Sequence, residues 1–329
     1  MQRIDSLTGL FRTPVEVEVW VNDRPESSIL TISKQEESFS IPTHGRPQLV
    51  IFDKGSRILK KVSFQKPVGE WVYQLEHARD GVDRLLAIDE LEGYTDSSLV
   101  LNALQKALLD DPFTEVRRSV AWAIGDVKKT DVSGNLIAAY GDRDAKVRDA
   151  SVTSLGHWRG EKVISTLRHA FEKDSSYSVT ASALRSLAKV DSLHRNVYCQ
   201  EGLKLSSRNE VIRTTALQLL SETGDDSAFG IVKAYTRYGV DRSIRIPALN
   251  ALAAGWKKRD EVVNYIIGLL ADPSFHVRRA VINILGGLGN SRAIEPLQAC
   301  AAKEPDSRLA KEAREAAAKI SESQGQKAH

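Results

Sequence analysis

Apolar residues recur along most of this chain with one spacing and one internal layout. In residues 272–286, DPSFHVRRAVINILG, Val277, Val281, Ile282 and Leu285 stand at offsets zero, four, five and eight, which a 3.6-residue turn gathers on one face of a helix. Asp272-Pro273 breaks the chain before that helix, because proline lacks a backbone donor and disfavours helix in the residue before it. Gly286-Gly287 is expected to close it, where a positive φ is favoured. The same layout is anchored at Val116, Val147, Val179, Ile212, Ile244 and Val277, with spacings of 31, 32, 33, 32 and 33. Offset eight holds Ile124, Leu155, Leu187, Leu220, Leu252 and Leu285; offset five holds Ala121, Val152, Leu184, Leu217, Leu249 and Ile282. One period outward lie Asp83 and Leu309, in degenerate copies of the kind that cap an array. A second amphipathic stretch lies between anchors, as at 99–109, 132–140, 163–171, 228–238 and 262–270. Each copy is therefore a helical hairpin whose apolar faces can be covered only by the copies beside it.

The first 78 residues follow a different period. Val15, Val17, Val19 and Val21 alternate with Glu16, Glu18 and Trp20, as in a half-buried strand. Further strands are predicted at 28–32, 37–41, 47–52 and 58–64, separated by turn formers such as Asn22-Asp23-Arg24-Pro25 and Asp53-Lys54-Gly55. Five such strands predict a small antiparallel sandwich, and residues 68–78 predict a helix. The expected fold is thus multi-domain: an all-β sandwich over 1–78, an all-α right-handed α-α superhelix over 79–320, and a disordered polar tail over 321–329.

Asp before a Val-Arg or Ile-Arg pair, then Ala, then Leu-Gly, recurs in the array: Asp111-Pro112 with Val116-Arg117 and Gly125, and Asp142 with Val147-Arg148 and Gly156. The ankyrin and tetratricopeptide signatures are absent, and the pattern resembles the HEAT repeat in a compact form. Arg117, Arg148, Arg213, Arg245 and Arg278 all occupy offset one. They are read as a structural ladder of ion pairs with aspartates of adjacent loops such as Asp111, Asp144 and Asp272 rather than as an anion-binding row. Offsets two and six face away from the core and carry the candidate concave binding face: Arg118, Trp122, Asp149, Thr153, Arg185, Gln218, Asn250, Arg279 and Asn283. That mixed chemistry fits a protein or peptide, with Trp122 as its aromatic anchor.

The net charge of +3, from 46 basic against 43 acidic residues, gives no general drive toward nucleic acid or a membrane. Cys199 and Cys300, 101 positions apart, point to buried thiols in a reducing, cytoplasmic compartment rather than to a disulfide scaffold. The opening residues show no secretion signal, and no apolar run is long enough to span a bilayer. None of the seven histidines begins an H-E-x-x-H, and neither a G-x-S-x-G elbow nor a phosphate loop occurs. No catalytic, cofactor-binding or metal-ligating constellation is therefore assigned.

Phe11-Arg12-Thr13-Pro14-Val15 entering an alternating strand, then Phe39, Pro47-Gln48-Leu49-Val50-Ile51-Phe52-Asp53 and Leu59-Lys60-Lys61-Val62, followed by the switch at Trp71–Glu76 into a helical array, resemble the C-terminal half of the aminopeptidase N family of zinc metallopeptidases. The resemblance implies that a thermolysin-like catalytic domain precedes the sandwich, with Gln2 the tail of a preceding strand. It implies that the helical array covers that domain's active site and controls peptide access. Zinc is then expected only in the upstream domain, which would be this chain's partner, and no metal or peptidase residue carries over onto this sequence. The alternative is a free-standing HEAT-type adaptor for a protein partner. A HEAT-like enzyme such as a DNA glycosylase or a bilin lyase fits less well, for want of an aromatic-rich basic cleft.

Overall fold

Alternating valines over Thr13–Val21 form β1, the central strand of a three-stranded antiparallel sheet ordered β2-β1-β3, in which β2 is Arg24–Ile32 and β3 is Leu49–Phe52. This computed structural model describes residues 9–62, 64–127 and 129–325; the strand tail expected at Gln2 lies outside them. Asn22 and Asp23 both have positive φ (50° and 58°) and Val21 pairs with Arg24. The hairpin therefore closes through a two-residue loop with the mirror-image turn that suits strand twist. Residues in register share a face, so Val17, Leu30, Val50 and Phe52 line one side of the sheet while Trp20, Leu49 and Ile51 line the other.

The second face is not solvated, as a half-buried strand would leave it. Trp20, Leu49 and Ile51 pack with Ala78 and Tyr73 at helix α1, Val68–His77. Glu18 is 1% exposed, accepting from Trp20 Nε1 (2.9 Å) and Lys54 Nζ (2.5 Å).

The sequence expects five strands in a sandwich; the described residues hold three in one sheet, for identifiable reasons. Glu70 of α1 accepts the Val50 amide (3.0 Å) and Lys66 donates to the Val50 carbonyl (2.5 Å). Side chains thus occupy backbone groups on β3 that a neighbouring strand would use. In 58–64, of which residue 63 lies outside the described residues, the buried Asp53 carboxylate takes the amides of Arg57 and Ile58 (3.2 and 3.0 Å) and the Lys60 ammonium. Glu37 likewise takes the Ser33 amide (2.7 Å), and 37–41 joins no ladder. Phe39, Ile41, Ile58 and Val62 still stand over the sheet's apolar face, enclosing with it an open cavity of about 1030 Å³.

By internal contacts the chain divides into two compact units, Met1–Val163 and Ile164–His329. After α1 the first holds α2 (Gly81–Leu91), α3 (Ser98–Asp110), α4 (Thr114–Ala123), α5 (Ser133–Ala139) and α6 (Ala145–Leu155). The position expected as a domain boundary, Ala78, falls inside this unit, at the end of a helix that packs on β3 and on α2 and α3. The division falls within α7 (Glu161–Lys173). The second unit continues with α8 (Tyr177–Val190), α9 (Arg195–Lys204), α10 (Val211–Thr223), α11 (Asp226–Ala234) and α12 (Arg242–Trp256). It ends with α13 (Asp260–Gly268), α14 (Phe275–Leu288), α15 (Ile294–Lys303) and α16 (Ser307–Gly325).

Even-numbered helices from α4 to α14 carry the anchor columns, and all twelve residues at offsets five and eight are 0% exposed. Odd-numbered helices supply the first arm of each pair.

Two expectations are corrected here. Gly286 and Gly287 do not end α14; the helix runs through both and is capped at Gly289, with φ of 65°. Gly286 instead admits a close approach, since a Cβ there would stand 3.1 Å from that of Ala316 on α16. Gly125 plays the same part after α4, where a Cβ would meet Ser154 Oγ at 2.5 Å. The tail is helical as far as Gly325, with Gln324 Nε2 donating to Gly289 O (3.0 Å), and 326–329 lie outside the described residues.

The lysine that covers β3 yields a test. Lys66 Nζ lies 4.4 Å from the Trp71 ring and 4.8 Å from that of Phe64, and it donates to Gln74 Oε1 (2.7 Å). Burial pushes its pKa from 10.5 down to about 8, against the pull of Glu70. The unfolded chain therefore binds more protons between those two values, and stability rises with pH across that window. Urea midpoints at pH 8 and pH 10 should climb more for the native chain than for Lys66→Met; an equal change in both would show that Lys66 is not the group responsible.

Candidate binding face

The loop before an even-numbered helix and an arginine one turn inside it form a device that recurs along the chain. In the first unit Arg84 on α2 donates Nε to Asp111 Oδ2 (2.7 Å) and Nη2 to Oδ1 (3.0 Å), while Nη1 reaches the Ala78 carbonyl (2.8 Å). Arg117 on α4 repeats this: Nε to Asp142 Oδ2 (2.6 Å), Nη2 to Oδ1 (3.0 Å), and Nη1 to Asp111 O (2.8 Å). In the second unit Arg245 Nη2 donates to Asp272 Oδ2 (2.5 Å), and Arg278 forks onto Glu304 (2.8 and 2.9 Å) with Nη1 on Asp272 O (3.0 Å). Each guanidinium thus spans its own loop's carbonyl and the next loop's carboxylate, a planar fork that lysine could not supply.

The acceptors serve twice. Asp111, Asp142 and Asp272 also accept the amide two residues on, from Phe113 (2.8 Å), Asp144 (2.8 Å) and Ser274 (2.9 Å). Asp144 is not a rung, because its Oδ1 caps α6 by accepting the Lys146 amide (2.9 Å). Arg148 donates Nη1 to Asp142 O (3.0 Å), the same backward contact. Arg213 departs from the pattern: no carboxylate stands at 238–240, where its acceptor would fall, and it turns to Leu203 O (3.0 Å) and Glu210 (3.3 Å). Arg84 and Glu304 are rungs that pattern reading misses, the first because its copy is degenerate and the second because the acceptor is glutamate in a loop without the Asp-Pro mark.

The residues expected on the outward face lie on two units and are taken unit by unit. In the first, Trp122 is 42% exposed on α4. Arg118 is held by Glu115 (2.9 Å), which also takes Lys146 from α6 (2.7 Å). Asp149 is half-buried, its Oδ1 lacks a partner among the described residues, and its carbonyl accepts Thr153 Oγ1 (2.8 Å). In the second, Arg185, Gln218, Asn250, Arg279 and Asn283 are all exposed, and Arg279 pairs with Glu312 of α16 (2.8 Å).

Burial disfavours the thiolate at both cysteines, although Cys300, expected to be buried, is only half-buried. Cys199 is fully buried and burial raises its pKa to about 12; Cys300 is raised for the same reason. Among the described residues no group of three or more His, Cys, Asp and Glu is placed to hold a metal ion, and no helix is long and apolar enough to cross a membrane.

Paired helices in series, joined by loop-to-helix arginine rungs, define a helical-repeat protein. The chain belongs to the HEAT repeats family, whose profile matches residues 101–188 and 236–318, together just over half its length. No curated protein matches it. Among solved structures it is similar to human deoxyhypusine hydroxylase, at 18% identity over 78% of this chain and 96% of that one, with a TM-score of 0.36. Aminopeptidase A of Legionella pneumophila is similar at 13% identity over 94% of this chain, with a TM-score of 0.49, and this chain spans 45% of its length. YibA of Escherichia coli is similar at 16% identity over 79% of this chain and 99% of that one, with a TM-score of 0.46.

The rungs predict an asymmetry in mutational cost. Arg117 is 4% exposed, and Asp142, which burial alone would raise, is held below its ordinary pKa by that guanidinium. Arg117→Ala strands a buried carboxylate and should cost about 3–5 kcal/mol, whereas the double change Arg117→Met with Asp142→Leu should cost far less. Chemical denaturation of the two variants checks this; equal losses would show that the rung does not act as a pair.

Proposed function

We propose that this chain is a noncatalytic binding module, the C-terminal region of an aminopeptidase N-like protein, in which the helical repeats cover the active site of an upstream zinc domain and control peptide access to it. The observation that carries the binding role is the division of labour along each even-numbered helix. Offsets five and eight are wholly buried and offset one is tied into rungs at Arg117, Arg245 and Arg278, while offset six stays polar and exposed at Arg185, Gln218, Asn250 and Asn283. Chemistry withheld from the core and the rungs is what a partner can use.

The parent is read from the residues of the resemblance. Phe11 to Val15 lead into β1, and 47–53 contain β3. Glu76, where the switch to helix is read, lies on α1, which packs on β3 and on α2 and α3. Bond chemistry in the parent then belongs to the upstream domain.

A second reading, a free-standing adaptor for a protein partner, is favoured by Trp122, whose large ring is 42% exposed on α4. The two readings separate on the reading frame upstream of Met1, which under the first encodes an H-E-x-x-H motif with a downstream glutamate. Its absence there leaves the adaptor. Under both, this chain alone should hold no zinc and release no product from an amino-acid amide; stoichiometric zinc with hydrolysis would overturn both.

A further inference from the structure

One column of the second unit has a chemistry of its own. Offset six holds Arg185 on α8, Gln218 on α10, Asn250 on α12 and Asn283 on α14, and the same offset from Leu309 gives Glu315 on α16. These helices pack in series, α8 on α10, α10 on α12, α12 on α14 and α14 on α16. All five residues are exposed, while their neighbours at offset five, Leu184, Leu217, Leu249 and Ile282, are wholly buried. Equivalent positions on helices packed side by side form a row across the helices, so the column is a ladder of three carboxamides flanked by a cation and an anion. No other described residue is hydrogen-bonded to the side chains of Gln218, Asn250 or Asn283.

A carboxamide offers donors and an acceptor together, the complement of a peptide unit. Packed helices stand about 8–10 Å apart. A polyproline II chain rises ~3.1 Å per residue with three residues per turn, so the same edge of such a chain returns about every 9 Å. Its backbone makes no internal hydrogen bonds, leaving one amide and one carbonyl free at each return. The flanking charges set a direction, with an acidic group placed at Arg185 and a basic one at Glu315, whose Lys311 contact is long and exposed (3.7 Å). Small residues, Ala254 and Gly287, follow one turn on from Asn250 and Asn283, and Arg279, one turn before Asn283, is held by Glu312 (2.8 Å).

We propose that the Gln218–Asn250–Asn283 ladder binds an extended polypeptide through its main chain, about three residues per rung, with an acidic residue toward Arg185 and a basic residue toward Glu315. The proposal deepens the reading of the outward face as the binding face. It is tested independently of the parent protein, because the upstream reading frame can hold or fail whatever this ladder does.

The test uses the full chain and a phage-displayed library of random 13-residue peptides, with the selected sequences then synthesised. Binders should carry an acid near one end and a base near the other. The double change Asn250→Ala with Asn283→Ala should weaken them at least tenfold at an unchanged melting temperature. N-methylation of every third peptide amide removes main-chain donors without touching protein or side chains, and in one of its three registers it should cost at least tenfold against the unaltered protein. An empty selection, or binders indifferent to N-methylation in every register, would overturn the proposal. So would folded double variants with full affinity.

Discussion

A pair of short helices cannot cover its own apolar side, and that shortfall organises the molecule. Each even-numbered helix from α4 to α14 presents a four-residue cluster at offsets zero, four, five and eight. The next pair supplies the missing wall. This is why the columns at offsets five and eight are buried without exception from Ile124 to Leu285, and why the spacing between anchors holds within two residues. Stability in such a chain is a sum over neighbours rather than a property of one core.

Burial is not directional, and a stack held by leucines alone could slide. The arginine rungs remove that freedom. Arg117 and Arg278 each bridge the carbonyl of their own loop and the carboxylate of the next, fixing where one loop stands against its neighbour. The Asp142 and Asp272 carboxylates are in turn oriented by the amide two residues on, so each is hydrogen-bonded on both sides. Glycine at Gly125 and Gly286 lets Ser154 of α6 and Ala316 of α16 come close.

Much of this was legible in the sequence, for physical reasons that also mark where legibility stops. Helix period and column chemistry are local, so the six anchors and their buried offsets could be read directly. Offset one was readable as a ladder because arginine beside a buried face must find acceptors. Which acceptor it finds is a question of distance across a repeat: Asp144 and Asp142 are equivalent in the pattern, but the Asp144 carboxylate caps α6 and Asp142 takes the arginine. The sheet shows the same limit. Period-2 segments at 37–41 and 58–64 have the composition of strands, yet strands need backbone partners, and the partners here are Glu37, Asp53, Lys66 and Glu70 side chains. Nothing in the local pattern around Val50 announces that a lysine and a glutamate sixteen and twenty residues later will occupy its carbonyl and amide. The sequence pattern presents the outward face as one surface; the carboxamide row within it follows from the packing of α10 on α12 and α12 on α14.

The central claim, that a helical pair has no fold of its own, is open to one direct measurement. A peptide spanning residues 226–256, which carries α11 and α12 together, would be followed by circular dichroism through a thermal ramp, with its monomeric state fixed by sedimentation. The account predicts weak helicity and a broad, non-cooperative loss of signal. A sharp, reversible transition in the monomer would show that one pair buries its own apolar side, and would contradict it.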